Sequence, residues 1–462
     1  MVESASAPKL KFAIVGSGPS GFYAAEALFK RVPNSEVDMF DRLPTPFGLV
    51  RAGVAPDHPK LKQVIAVYDK IARTPGFRFV GNVEVGTDVT VEDLRASYHA
   101  AIFAYGASTD RRLGIPGEDL AGSHTATEFV GWYNGHPDYR DRTFDFSAER
   151  AVVIGQGNVA ADVARILALP ANDLMRTDIA EHAIAPLAES RIREICIVGR
   201  RGPAQAKFTS VELKELGHVP DCGATVEPAD LELGAACLAE LGEKANDEGR
   251  KNVELFKSFA AAIPNAHRRT IRFRFCEMPV RIRGDSRVEA LVLAKSRLEG
   301  APFAQVARAR DEHVELPCGL VFRSVGYRGL PLPGLEYDER AGVVRNAKGR
   351  CLAGGVPLTG AYVTGWIKRG PTGLIGTNRA DSLDTVESIL TDLPHLNQGP
   401  RPGIEAIASK LRLRPVCTVD YPAWKVIDAA ERERGRPKGK PREKFTRISD
   451  MLALVESAVP VD

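Results

Sequence analysis

The chain has 462 residues, 44% of them hydrophobic and 26% charged, and a net charge of +3. This is the composition of a globular protein long enough for two or three domains, and it excludes a disordered or collagen-like chain. The charge is too small for a nucleic-acid binder, no Lys/Arg face is interleaved with aromatics, and no run of about eighteen apolar residues offers a membrane span.

Met1 to Pro8 lacks the basic-then-apolar layout of a secretion signal, so the expected location is cytoplasmic. The first element is the apolar run Phe12-Ala13-Ile14-Val15, a strand that stops at glycine. Gly16, Gly18 and Gly21 follow at the G-x-G-x-x-G spacing, and Phe22 to Phe29 reads as a helix. In such a loop the first glycine permits the turn, the second admits a pyrophosphate, and the third lets helix and strand pack closely. A second strand, Glu36 to Phe40, leads to Asp41, twenty residues past Gly21, where a dinucleotide fold places an acid for the ribose.

The stretch Pro44 to Pro59 is rich in Pro and Gly but carries Phe47, Leu49 and Val50, the pattern of an ordered loop. Its His58, taken alone, reads as structural. A helix is expected over Leu61 to Ala72, strands over Phe77 to Val80 and Asn82 to Val85, and a buried parallel strand over Ala100 to Gly106. A domain crossing is expected just before Ile115-Pro116-Gly117.

A second nucleotide signature begins at Ala151-Val152-Val153-Ile154, with the loop Gly155-Gln156-Gly157-Asn158-Val159-Ala160 and a helix through Leu167. The next strand, Glu194 to Val198, ends in Gly199-Arg200-Arg201. An NAD site calls for an acid there, whereas two arginines suit the 2′-phosphate of NADP. Residues 203 to 270 read as mostly helical and polar. Ile271 to Phe275 alternates apolar and basic like a half-exposed strand, and Val288 to Leu293 reads as another strand. Gly319 to Gly326 is a buried strand, after which the chain is expected to return to its first domain. Ala361 to Asn378 reads as strand, glycine-rich loop and helix start, a place where a helix N-terminus could face a flavin. The tail beyond residue 400 carries Pro402, Pro415 and Pro422, a helix near Trp424 to Arg432, and a basic run over Arg434 to Arg442 that reads as a solvated segment. The seven cysteines contain no C-x-x-C spacing and read as scattered reduced thiols.

Two dinucleotide loops, the second nested within the first domain, suggest a flavoprotein reductase, with FAD at one loop and a nicotinamide nucleotide at the other. The segments IVGSGPSGFYAA, LPTPFGLVRAGVAPDHP, GQGNVAADVAR, VGRRGPAQAKFTSVELKEL and GWIKRGPTGLIGTN together resemble the adrenodoxin reductase-like ferredoxin–NADP reductases over essentially the whole chain. That resemblance implies an α/β protein of two Rossmann-like three-layer domains, with an NADP domain (109–324) inserted into a discontinuous FAD domain (1–108 and 325–462). The FAD domain would carry a C-terminal extension from about residue 400. It implies FAD contacts at Gly16, Gly18, Ser20, Asp41, Leu49, Val85, Trp366, Gly373, Leu374 and Ile375. NADP contacts would fall at Arg111, Gln156, Gly157, Asn158, Val159, Arg200, Arg201, Glu212 and Gly373. A pair near the nicotinamide, His58 and Glu215, would assist proton movement. The family usually has Glu at the Asp41 position and Asn at that of Gln156. The implied activity is that of a ferredoxin–NADP(+) reductase: hydride from NADPH to FAD, then single electrons to a ferredoxin-type iron–sulfur protein. A flavin-dependent NADPH oxidase, diaphorase or monooxygenase with another acceptor is the alternative, and a non-enzymatic, redox-sensing NADP-binding module with an idle flavin is a third. A disulfide reductase is rejected because it needs a paired redox cysteine.

Overall fold

The computed structural model describes residues 9–262, 267–396, 399–414 and 416–458. Met1 to Pro8 and Pro415 lie outside them. The chain forms two compact units: Met1–Val54 with His58–Thr109 and Tyr327–Asp462, and Ala55–Asp57 with Asp110–Gly326. The second unit is thus inserted into the first, and it also takes three residues of the Pro-rich loop.

The first unit holds a seven-stranded sheet in the order Asn346–Ala347, Arg350–Ala353, Val356–Val363, Ala100–Phe103, Lys11–Val15, Glu36–Asp41, Phe77–Gly81. The last five pair in parallel, with Ile14 opposite both Met39 and Ile102. Successive side chains enter different cores. Phe12, Ile14 and Met39 pack with Phe22 and Leu28, while Ala13, Val15 and Phe40 pack with Phe103 and Val363. Burial on both faces is why these strands read as unbroken apolar runs. Strand order reverses between Lys11–Val15 and Ala100–Phe103, which opens a crevice at their carboxyl ends, the usual ligand position in such sheets.

The second unit holds six parallel strands in the order Ser123–Thr125, Leu320–Arg323, Arg150–Ile154, Glu194–Val198, Arg269–Arg274, Cys222–Val226. An antiparallel sheet of Glu277–Arg283, Ala290–Glu299 and Val306–Pro317 accompanies it. Phe129, Val153, Ile166, Ile197, Phe256 and Phe273 centre the main core. Among the described residues no helix is long and apolar enough to cross a membrane.

Several elements differ from the sequence expectations. Asn82 to Val85 is not a strand: Asn82 adopts φ +59° and its Nδ2 donates to the Cys417 carbonyl, turning the chain away from the sheet. The helix expected over 61–72 is two helices, Pro59–Lys62 and Ile65–Ala72. Residues 203–270 contain the strand Cys222–Val226. By contrast, the strand Arg269–Arg274 alternates as expected: Ile271 and Phe273 are buried, while Arg272 and Arg274 stay partly exposed and pair with Glu194, Glu227 and Glu277. The basic run 434–442 is not simply solvated. Lys440 and Glu443 form a buried ion pair, and Arg442 pairs with Asp428 and Glu431.

Candidate dinucleotide sites

In the first unit the glycine loop is built by three different constraints. Gly16 turns at φ +105°, and a side chain there would lie 2.6 Å from the Ala104 carbonyl oxygen. A Cβ on Gly21 would sit 2.1 Å from the Gly16 carbonyl oxygen, so helix and strand touch through it. A Cβ on Gly18 would meet nothing within 4 Å. Open space therefore lies at the start of the helix Pro19–Arg31, which has no side-chain cap and no acid in its first turn. Its first N–H groups are unused by side chains and suit an anion.

Asp41 ends the second strand and staples this loop. It accepts from the Ser17 N–H (2.9 Å), the Ser17 hydroxyl and the Leu43 N–H (3.0 Å). A carboxylate offers about four acceptor positions, so Asp41 retains capacity for a ribose hydroxyl while serving the loop. Ser20 is buried, and its hydroxyl donates to Asn378 Oδ1 at 3.1 Å. Ser382 Oγ donates to the Ser20 carbonyl, which ties the helix Pro19–Arg31 to the helix Thr377–Asp392. Gly365, at φ +76°, lets the chain pass Ser20, since a Cβ there would meet Ser20 Oγ at 2.2 Å. Trp366 stacks on Tyr327 at 5.3 Å, and its buried Nε1–H has no partner among the described residues. Gly373, at φ +80°, and the exposed Leu374 precede Thr377–Asp392, which also starts without a side-chain cap. Ile375 is half-buried against the core that holds Phe12 and Phe22. Leu49 opens the short helix Leu49–Ala52, and Val85 packs beside Val83 and Val89. His58 is half-buried and precedes the helix Pro59–Lys62. The open cradle, two uncapped helix starts and the orphaned indole N–H fit FAD.

The second unit repeats the device. Gly155 turns at φ +138° with a would-be Cβ 2.1 Å from the Ser324 carbonyl oxygen, whereas a Cβ on Gly157 would meet nothing within 4 Å. The helix Asn158–Ala168 starts there with no side-chain cap and no acid in its first turn. Lys207 N–H donates to the Gln156 carbonyl (2.7 Å) and Thr209 N–H to Asn158 Oδ1 (2.8 Å), which fixes the loop. The Gln156 side chain lies on Gly199, and its buried Nε2 has no partner among the described residues. Val159 packs on the main core. The backbone of the arginine pair is pinned from the antiparallel sheet. Ser296 Oγ donates to the Arg200 carbonyl (2.7 Å), and Cys276 N–H to the Arg201 carbonyl (3.1 Å). Among the described residues neither guanidinium is in a hydrogen bond or ion pair, so both remain available to a phosphate. Arg111 is exposed, and its N–H donates to the Gly326 carbonyl at 2.9 Å.

Two groups here were not singled out from the sequence. Glu240, 3% exposed, accepts from Gln205 Nε2 (2.8 Å), Gln305 Nε2 (2.7 Å) and Phe303 N–H (2.7 Å). Burial pushes its carboxyl up, but those hydrogen bonds, with the Arg201 charge, leave it below the ordinary carboxylate range. It anchors the loop that follows the arginine pair. Arg165 lies on the helix Asn158–Ala168 with its side chain 4% exposed. It holds Asp57 through Nε (2.6 Å) and Nη2 (3.2 Å), Asp162 (2.6 Å) and Glu212 (3.2 Å), with Glu215 at 3.8 Å. Glu212 and Glu215, both on the helix Ser210–Leu216, therefore share the Arg165 cation. An arginine within Val163-Ala164-Arg165-Ile166, otherwise wholly apolar, was the only hint available.

Over residues 10–197 the chain matches the pyridine nucleotide-disulphide oxidoreductase family. It is 45% identical over 456 residues to the NADPH-ferredoxin reductase FprA of Mycobacterium tuberculosis, covering 96% of this chain and 98% of that protein. It is 43% identical to the mitochondrial NADPH:adrenodoxin oxidoreductase of Homo sapiens, covering 96% of this chain and 91% of that one. The chain belongs to the adrenodoxin reductase-like NADPH–ferredoxin reductases. The solved structure of M. tuberculosis FprA in complex with NADPH superposes with a TM-score of 0.91 at 44% identity, covering 97% of this chain and all of that one. Within this family the two Rossmann-like units carry the two glycine loops described above, and the chain is an oxidoreductase.

Proposed function

We propose that this protein is an NADPH-dependent ferredoxin reductase of the ferredoxin–NADP(+) type, with FAD in the first unit and NADP(H) in the second. The observation that carries the reading is the arginine pair. Arg200 and Arg201 follow the strand after an open glycine loop, are pinned through their carbonyls, and keep both guanidinium groups unpaired among the described residues. Bound FAD supplies the chemistry that links a two-electron donor to a one-electron acceptor. The residues of the chain bind and orient. Gly18 and the helix behind it receive one pyrophosphate, Gly157 and its helix the other, and the arginines select the 2′-phosphate. Trp366 and residues 373–375 would line the flavin side, and Arg111 and Glu212 the nicotinamide nucleotide. His58 and Glu215 are the candidates for handling a proton.

The partner in this reading is a small iron–sulfur protein. The purified holoprotein reduces such a ferredoxin with NADPH, followed through cytochrome reduction. Fast peroxide formation without ferredoxin reduction would replace the reading with an NADPH oxidase. In the same assay Arg200→Ala with Arg201→Ala raises the KM for NADPH and hardly moves that for NADH. A charge-assisted phosphate bond supplies about 1.5–3 kcal/mol, so the change is at least about tenfold. Equal losses for both nucleotides would contradict the assignment of the second loop.

A further inference from the structure

The C-terminal segment beyond residue 400 holds neither glycine loop, yet it reaches the flavin side of the first unit through one buried ion pair. Phe47 adopts φ +87° and Gly48 φ +48°. A bulky residue in that region is a true outlier, and the surroundings must hold it there. Phe47 N–H donates to the Ser17 carbonyl at 3.0 Å, and a Cβ on Gly48 would lie 3.0 Å from the Gly18 Cα. The strained Phe47 and the glycine after it thus rest on the loop whose open cradle Gly18 provides.

What holds it comes from the other end of the chain. Arg51, on the short helix Leu49–Ala52, gives both guanidinium arms to Glu431: Nη1 to Oε2 at 2.8 Å and Nη2 to Oε1 at 2.5 Å. Their side chains are 9% and 0% exposed. Arg51 also lies 5.0 Å over the Trp424 ring, and Phe47 meets the same ring edge-on at 5.9 Å. Trp424 and Glu431 share the helix Tyr421–Gly435. Glu431 is fixed in turn by Arg442 Nη1 (3.2 Å) and the Phe445 N–H (3.0 Å). A fully buried carboxylate that receives a bidentate arginine, a second arginine and a backbone N–H has its acceptor positions filled, which makes it rigid.

We propose that the C-terminal segment is a brace for the flavin site, with Glu431 as a positioning residue. Through Arg51 and Trp424 it holds the strained Phe47, and with it the turn at Gly48, against the pyrophosphate loop. The inference rests on the assignment of FAD to that loop. Without the brace Phe47 relaxes toward negative φ, and the loop must be reordered each time the cofactor binds. A residue in this region is disfavoured by about tenfold to a hundredfold, which sets the scale of the loss.

The test uses the full-length protein stripped of flavin and reconstituted with FAD, with binding read from flavin fluorescence and folding from thermal unfolding. Glu431→Gln weakens FAD binding by about tenfold or more. Arg51→Met with Glu431→Leu removes both buried charges together, so it keeps the fold and shows the same loss. Lys440→Met breaks another buried ion pair of the tail, lowers the melting temperature, and leaves FAD affinity within twofold. FAD affinity that follows melting temperature equally in all three variants would overturn the brace. So would wild-type affinity in the double variant. A wild-type protein that binds no FAD would instead sink the assignment of the first loop, leaving a result distinct from either.

Discussion

At the scale of single residues, the glycines of the first loop perform separable tasks, and substitution tells them apart. Gly21→Ala drives a methyl group against the Gly16 carbonyl at 2.1 Å, a contact that backbone must yield to. Overpacking of that kind costs about 1–3 kcal/mol, so the variant melts several degrees lower. Gly18→Ala places its methyl where the protein has no atom within 4 Å. The apoprotein therefore keeps its melting temperature, while FAD binding, measured by fluorescence titration, falls at least about tenfold. Identical melting losses in the two variants would show that Gly18 is a packing residue and not a cradle. This part of the site was legible because its requirements are local: three glycines within six residues, each answering a contact or a vacancy made by near neighbours. The acid at Asp41 was legible by position, but its attachment to Ser17 and Leu43 was not. A spacing rule places a carboxylate and says nothing about which donors claim it first.

At the scale of elements, long-range ion pairs decide what local pattern cannot. The parallel strands of both units could be read from their apolar runs because they are buried on both faces. The alternation of Arg269–Arg274 was legible too, but not the partners of its partly exposed arginines, because Glu194, Glu227 and Glu277 lie outside the strand. The same cause hid the tail: Lys440, Arg442 and Glu443 look solvated until the helix Tyr421–Gly435 is beside them. Arg165 is the strongest case. It gathers Asp57, Asp162 and Glu212 into one cluster, joining the helix Asn158–Ala168, the helix Ser210–Leu216 and the segment Ala55–Asp57. Removal of one partner from a buried charge cluster costs about 3–5 kcal/mol, because the remaining charges lose their compensation. Arg165→Met therefore lowers the unfolding midpoint strongly. Arg165→Lys recovers only part, since an ammonium cannot reproduce the fork that grips Asp57. A methionine variant melting within a degree of the wild type would reduce the cluster to an incidental contact.

At the scale of the whole molecule, the chain matches a family named for disulphide chemistry, yet no two of its cysteines stand at a C-x-x-C spacing. All seven cysteines are free, and five of them are buried. Burial holds five of the thiols in their protonated form: Cys196, Cys318 and Cys351 are pushed up to about 12, and Cys222 and Cys276 to about 11. Cys417 is raised as well, again chiefly by burial. A thiol with its titration near 11 is about one part in ten thousand thiolate at pH 7, too little for a nucleophile in a redox relay. These thiols are therefore unsuited to carrying electrons between nicotinamide and acceptor, a task that falls to the bound cofactors. Native protein treated with iodoacetamide at pH 7 therefore keeps its NADPH-dependent flavin reduction rate, and mass spectrometry finds Cys276 and Cys417, the two partly exposed thiols, as the slowly labelled sites. Because Cys276 donates its N–H to the Arg201 carbonyl, labelling there raises the KM for NADPH and leaves kcat in place. A kcat that falls in step with the blocking of one cysteine would restore a thiol to the electron path.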